Sequence, residues 1–443
     1  MAFASVWVFL FLLGSGHFGN DLLSVINAED YFKARQVEVK APDLITLAAK
    51  APADAKTQVA QLLAIRWLGE HPEEAKKEAK VHDTLAQIAQ GKIAQDAEGF
   101  AQDYARRALA RLDGQPPPRS PALPENSMTE ALAWFPVQAS LFGAIDLRSA
   151  SEAKASDQAA FRDLVSQLIP ERERGLLYGF AETVGNLRLD RVAMAYAGDP
   201  VASLKSRVYL RFTGKGHRKW LGDFVRQNLT GGEIKEEKDP QGQPLTLISS
   251  EKTAPAYALI GDTELIMAGH EGNENALEVV REVLAVRAGR TPGIAKGSFA
   301  DQLKQVPSQA AGLVMGDLPP DMQREFTGGP VRVLPHQVMI TLIKGETLTL
   351  HFQGTMDKAE DAQAFADGVN QLKDKGVEAL QNLPPEIKIK PDSLRLLTQT
   401  LEEVNMEAKG TTVSMTLEIE GEALKALHNL VIDIIKQKAD EER

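Results

Sequence analysis

The sequence predicts an α+β protein: an N-terminal α-helical segment followed by two duplicated antiparallel-sheet-plus-helix modules. Three observations carry that expectation. From Phe135 onward one plan is written twice, since FPVQASLFGAIDLR at 135–148 returns as VPSQAAGLVMGDLP at 306–319 and RVYLRFTG at 207–214 as TLTLHFQG at 347–354. Within each copy, runs alternating apolar and polar side chains come in pairs joined by glycine turns, and each pair is followed by a stretch of helical periodicity. Residues 43–114, by contrast, are rich in Ala, Leu, Gln, Lys and Glu, with Val59, Leu62, Leu63, Ile65 and Leu68 on a wide apolar stripe.

The chain has 443 residues, 43% hydrophobic and 25% charged, a composition that supports more than one core and argues against global disorder. Acidic residues outnumber basic ones, 61 to 50, for a formal charge of −11, so long-range attraction to nucleic acid is not expected. The absence of cysteine removes disulfides, thiol nucleophiles, thiolate metal sites and an acylated lipoprotein cysteine together.

In chain order, Ala2–Leu13 is almost wholly apolar and no charged side chain precedes Asp21. The run has the length of a signal-peptide core, so residues 1–20 are expected to export the chain, to the periplasm or beyond, or to anchor it; no Lys or Arg precedes the run, and a buried N-terminal helix is the other reading. Residues 21–114 form the helical segment. The sequence QPPPRSPALPENS at 115–127 carries five prolines without apolar periodicity and reads as an extended linker.

The first module, 128–292, opens with the strand SLFGAIDL at 140–147 and continues with helical periodicity over 157–184, broken near Pro170. A strand pair at 187–197 and 204–212 comes next, then a helix presenting Trp220, Leu221, Phe224 and Val225 on one face. A hairpin through Asp239-Pro240-Gln241-Gly242, a pair at 256–260 and 264–268 turning at Gly261-Asp262, and a helix at 274–288 complete it. The second module, 293–443, repeats the order: a strand at 310–318, a pair turning at Lys344-Gly345, a helix at 358–380, a pair turning at Lys409-Gly410 and a helix at 422–438. Whether the two modules share a sheet is open at this stage, and a pseudo-twofold pair with a groove between the copies is the expectation.

The helical segment resembles a short HEAT-like repeat array over 43–114. LAIRWLGE at 63–70 is echoed by LARLDG at 109–114, and the spacing from Leu68 to Leu112 falls in the roughly 40–47-residue period of HEAT and armadillo repeats. In DYARRALARLDG at 103–114, Ala105 and Ala108 would allow close packing, Leu109 and Leu112 would face inward, and Arg106 and Arg107 outward. Two such units cannot close a core alone, so either residues from about Asp21 cap the array or it packs on the part of the chain beyond it. The resemblance implies contact with another protein through these helices.

Chemistry is sparse in the sequence. The eight histidines form no compact ligand pattern, and GxSxG and SxxK nucleophile motifs are absent, as is any cofactor fingerprint. KGHRK at 215–219 offers phosphate contacts near a helix start but lacks phosphate-loop spacing, so a strand-to-helix turn is the plainer reading. Asp146, Arg148 and Asp317 close the equivalent first strands of the two copies, where an inter-module cleft would bring carboxylates together; a turn bond repeated by duplication is the competing reading. The expected function is therefore a non-catalytic extracytoplasmic binding or scaffold protein without cofactor or metal. The membrane enters only if the N-terminal run stays as an anchor. The alternatives are an enzyme, a hydrolase among the options, with a site between the modules, or a carrier of an apolar ligand. Against that carrier, Thr347, Thr349, His351 and Gln353 alternate with Leu348, Leu350 and Phe352, which predicts one polar uncovered sheet face.

Overall fold

The structure, a computed structural model, describes residues 20–116, 118, 124–148, 162, 171–199, 202–228, 233–249, 255–270, 275–318, 330–345, 347–382, 391–423 and 426. The apolar run at 2–13, most of the proline-rich linker, most of the stretch 157–170 and most of 422–438 lie outside those residues.

A 3-10 turn at Leu22–Val25 leads into α1 (Ala28–Ala34), α2 (Ala41–Ala48), α3 (Ala55–Glu70), α4 (Pro72–Ala75), α5 (Lys80–Ala89) and α6 (Phe100–Leu112). Helix α3 starts where Asp54 and Thr57 form a reciprocal capping box and stops at Glu70, two residues before Pro72. The expected stripe Val59, Leu62, Leu63, Ile65 and Leu68 is fully buried. The side-chain amide N–H groups of buried Gln61 point at the carbonyls of Ala48, Lys50 and Ala94, which ties α3 to the ends of its neighbours. Helices α3 and α6 touch closely because Gly69 faces Ala108: a Cβ on Gly69 would lie 2.6 Å from the Ala108 Cα.

The first module comprises α7 (Ser127–Leu132), β1 (Leu141–Asp146), α8 (Glu171–Val184), β2 (Arg188–Asp199), β3 (Ala202–Lys215), α9 (Arg218–Asn228), β4 (Glu233–Lys238), β5 (Pro244–Ser249), β6 (Ala256–Ile260), β7 (Glu264–His270) and α10 (Ala276–Arg287). The second comprises α11 (Ala300–Leu303), β8 (Ala310–Asp317), β9 (Gln337–Lys344), β10 (Thr347–Thr355), α12 (Ala359–Gln381), α13 (Pro391–Glu402), β11 (Glu407–Lys409) and β12 (Thr412–Glu420). The fold is α+β, with the helices first and a large antiparallel sheet after them.

The twelve strands of the described residues belong to one sheet, ordered β11-β12-β10-β9-β8-β1-β2-β3-β7-β6-β5-β4. Read outward from the centre, β1-β2-β3-β7-β6 and β8-β9-β10-β12-β11 are the same succession, so the duplication is one of topology as well as of sequence. The hairpin β4–β5 is extra to the first copy and widens its outer edge. The copies therefore meet by backbone pairing of β1 with β8, in place of the expected groove. Their register is symmetric about Gly143↔Val314, with Leu141↔Gly316 and Ile145↔Gly312 as counterparts on either side. At each of those two positions a large side chain of β1 faces a glycine of β8.

Residues paired across strands share a face. One face carries Phe142, Ala144, Ala193, Ala195, Tyr209, Ile266 and Ala258, buried beneath α7 and α10. In the second module the same face carries Thr347, Thr349, His351 and Gln353 beside Ser414 and Thr416, and His351 Nδ1 lies 2.9 Å from Thr416 Oγ1, so this stretch is polar. The opposite face there packs Val413, Phe352 and Met415 against Phe365 of α12, and Leu342, Leu348 and Ile419 beside Leu396 of α13.

The helical core does not end at the linker. Tyr178 and Ala181 of α8 belong to the same cluster as Leu62 and Leu63. Glu182 of α8 accepts from Tyr31 and from two nitrogens of Arg35, and the backbones of 20–22 and 187–189 bond to each other. The segment from Asp21 and α8 thus both pack on the helices of the N-terminal segment. Among the described residues no helix is long and apolar enough to cross a membrane.

Candidate binding cleft

Asp146 ends β1 almost fully buried and is held by its neighbours. Its carboxylate accepts from the Arg148 backbone N–H at 3.0 Å, from the Arg148 guanidinium, and from the Ser127 hydroxyl at 3.2 Å. Asp317 ends β8 exposed, accepting from Gln337 at 3.2 Å. Because β1 and β8 run antiparallel, their C-terminal ends lie at opposite ends of the seam: the Asp317 N–H donates to Ser140, which precedes β1, whereas Asp146 closes it. At ~3.4 Å per residue the two carboxylates are roughly 20 Å apart. The seam thus brings Asp146 and Arg148 together and leaves Asp317 away from both. The bond from Asp146 back to the Arg148 N–H is the turn bond that such residues make at a strand end.

A cleft lies elsewhere, between the helical segment and the outer part of the first module. Strand β3 leaves the sheet at Lys215 and turns through Gly216 and His217 into α9, so KGHRK is a strand-to-helix turn and also one wall of a cleft of about 680 Å³. Ala97 and Glu98, from the loop between α5 and α6, form the opposing wall, and Glu236, Thr246 and Asp262 close the sheet side. Arg218 spans the floor, donating to the carbonyls of Pro244 and Gly261 and, at 2.7 Å, to the Thr246 hydroxyl. Lys219 pairs with Asp223 at 2.7 Å and Arg226 with Glu236 at 2.8 Å. The His217 ring stacks on Trp220, centroids 3.9 Å apart.

The Glu98 loop is positioned by Gln58, buried on α3, whose amide donates to Asp96 and Glu98 while its carbonyl accepts from the Asn186 N–H. Burial holds the carboxyls of Asp96 and Glu98 above their usual range; for Asp96 it outweighs the backbone N–H donors of Ala101 and Phe100. Gly185, just after α8, sits between α3 and α9, with φ +74° and only 2.6 Å from its would-be Cβ to Gln58 Oε1 and 2.8 Å to the Trp220 ring. Gly185→Ala is expected to cost about 2 kcal/mol, read as a lower urea midpoint, because an unfavourable φ and two close contacts act together. An unchanged midpoint would contradict this packing.

Behind the cleft, a second pocket of about 240 Å³ opens between α9 and the sheet, lined by Leu189, Phe212, Leu221, Leu259 and Leu265. The two share Lys215, Gly216, Arg218, Leu259, Asp262 and Thr263 as a common wall. Sequence reading reached 215–219 but missed Glu98, Glu236 and Asp262, which come from segments far apart in the chain and carry no local pattern. Among the described residues no three acidic or histidine side chains converge as a metal site.

No protein-family profile matches the chain, and no curated protein matches it. Among solved structures it is similar to crystal form III of TP0453, at 10% identity and a TM-score of 0.35 over 68% of this chain and 97% of that one. Crystal form I of TP0453 gives 8% identity and a TM-score of 0.32 over the same shares. Likeness at that level fixes neither ancestry nor function.

Proposed function

We propose that the chain is a non-catalytic binding protein for an amphiphilic small molecule, with the polar part of the ligand in the cleft and its alkyl part in the apolar pocket behind. The observation that carries this reading is the shared wall: a polar chamber of about 680 Å³ and an apolar one of about 240 Å³ adjoin at Lys215, Gly216 and Arg218. Sites that bury most of a ligand combine an apolar lining with a few placed polar groups. The cleft is lined by four cationic side chains, Lys215, Arg218, Lys219 and Arg226, and four anionic ones, Glu98, Asp223, Glu236 and Asp262. That balance favours a zwitterionic or uncharged head over a polyanion. Most of these groups already bond to one another, an arrangement that shapes a surface for recognition. The helical segment, read from sequence as an array for protein contact, supplies the Glu98 wall. The apolar run Ala2–Leu13 supports placing the protein outside the cytoplasm.

The test is calorimetric titration of the full chain with dodecylphosphocholine below its micelle concentration. One saturable site is expected, weakening roughly tenfold for each pair of methylenes removed from the chain and lost in Leu265→Asp. Affinity indifferent to both chain length and Leu265→Asp would sink the reading.

A further inference from the structure

A second site lies inside the helical segment, away from the cleft. Asp21, Ser24, Arg66, Tyr104, Arg107, Arg111 and Arg162 enclose a small pocket with about 30 Å³ open to the centres of water-sized atoms, which is room for more than one water. Four guanidiniums line it, against two carboxylates, those of Asp21 and the adjacent Glu70. Glu70 is already shared by Arg162 at 2.6 Å, Arg111 at 3.4 Å and Arg66 at 3.9 Å. The Asp21 carboxylate accepts from the buried Tyr104 hydroxyl at 2.8 Å.

The donors outnumber what these two acids can accept. Arg66, only 8% exposed, gives its terminal nitrogens to the carbonyls of Leu23 and Ile26, and its Nε is buried without a hydrogen-bond partner. The Nε of Arg111 is buried and unpartnered too. Arg107, half-buried on the same wall, has no hydrogen bond or ion pair among the described residues. Burial and the neighbouring charges of Arg66 and Arg111 push the Arg162 guanidinium down to about 10, against the opposing pull of Glu70. A buried donor left unpaired costs free energy, and crowded buried cations cost more.

We propose that this pocket binds one phosphate-type oxyanion, accepting from the guanidiniums of Arg107, Arg66 and Arg111. A tetrahedral oxyanion presents several acceptors at once and matches the planar fork of arginine. All three donors lie on α3 and α6, so an occupied pocket ties these two helices together beside the Arg162–Glu70 pair.

The full chain at constant ionic strength is titrated by calorimetry with inorganic phosphate and, separately, with glycerol phosphate. One-site binding of either supports the proposal, and the tighter of the two tells whether the group arrives as a free ion or as an ester. Arg107→Gln is expected to weaken binding about tenfold or more while leaving the phosphate-free melting temperature essentially unchanged, since that side chain has no partner to lose among the described residues. Arg111→Gln gives a second reading at a buried donor. Absence of saturable binding by both anions, or equal binding by wild type and Arg107→Gln, overturns the proposal.

Discussion

Gly316→Ala is expected to destabilise the chain by about 4 kcal/mol, the sum of backbone strain and overpacking that cannot be relieved. Gly316 has φ +146°, and a Cβ there would lie 2.1 Å from the Ser140 carbonyl oxygen and 2.5 Å from the Leu141 Cα. Both obstacles are backbone, so no rotamer change makes room. The position also governs the seam, because among the described residues β1 with β8 is the one pairing in which a strand of the first module meets a strand of the second. Forcing the two strands apart at Leu141↔Gly316 therefore strains the joint between the copies. Urea unfolding monitored by circular dichroism should show a much lower midpoint, with the transition broadened as the two halves of the sheet lose their coupling. Gly345→Ala is the matched control, since its would-be Cβ meets only the Thr347 carbonyl oxygen at 3.7 Å. Similar midpoints for the two variants would mean that the seam is not held as described.

The same seam shows where sequence reading stops. Strand pairs, their turns and the order of elements were legible because alternation and glycine punctuation are local signals: the pairs at 337–344 and 347–355 and at 256–260 and 264–270 fall where the pattern places them. The polar face carrying Thr347, Thr349, His351 and Gln353 was legible for the same reason. Direction and register between distant strands are not local. Equivalent positions in two copies suggest neighbouring carboxylates, yet an antiparallel joint sends Asp146 and Asp317 to opposite ends of it. The cleft was partly visible as KGHRK, but its opposing wall depends on how Gln58 of α3 reaches the Glu98 loop, 40 positions away, and Asn186, 128 positions away. Helix α7, directly after the prolines, and α13 were not anticipated. Packing of the helical segment on the chain beyond it was one of two expectations, but α8 was not singled out for it, because its periodicity shows an apolar face without saying what covers it.

Glu70→Gln is the second large effect, with an expected loss of about 3–5 kcal/mol. The substitution keeps the shape and a hydrogen-bonding oxygen but removes the charge that three guanidiniums share. Arg66, Arg111 and Arg162 have side chains 8%, 17% and 5% exposed around a carboxylate that is itself 16% exposed, so water cannot take over its role. Breaking one side of a buried ion cluster leaves the remaining charges uncompensated, which costs far more than a surface pair is worth. A double-mutant cycle separates charge from packing. If crowded cations are the cause, adding Arg162→Gln should recover part of what Glu70→Gln loses, giving a coupling energy of at least about 1 kcal/mol. Strict additivity of the two losses would instead assign them to packing. A large coupling would also mean that the helical segment depends for its stability on a residue beyond the proline-rich linker, which makes it part of one structure with the sheet and not a separately folding array.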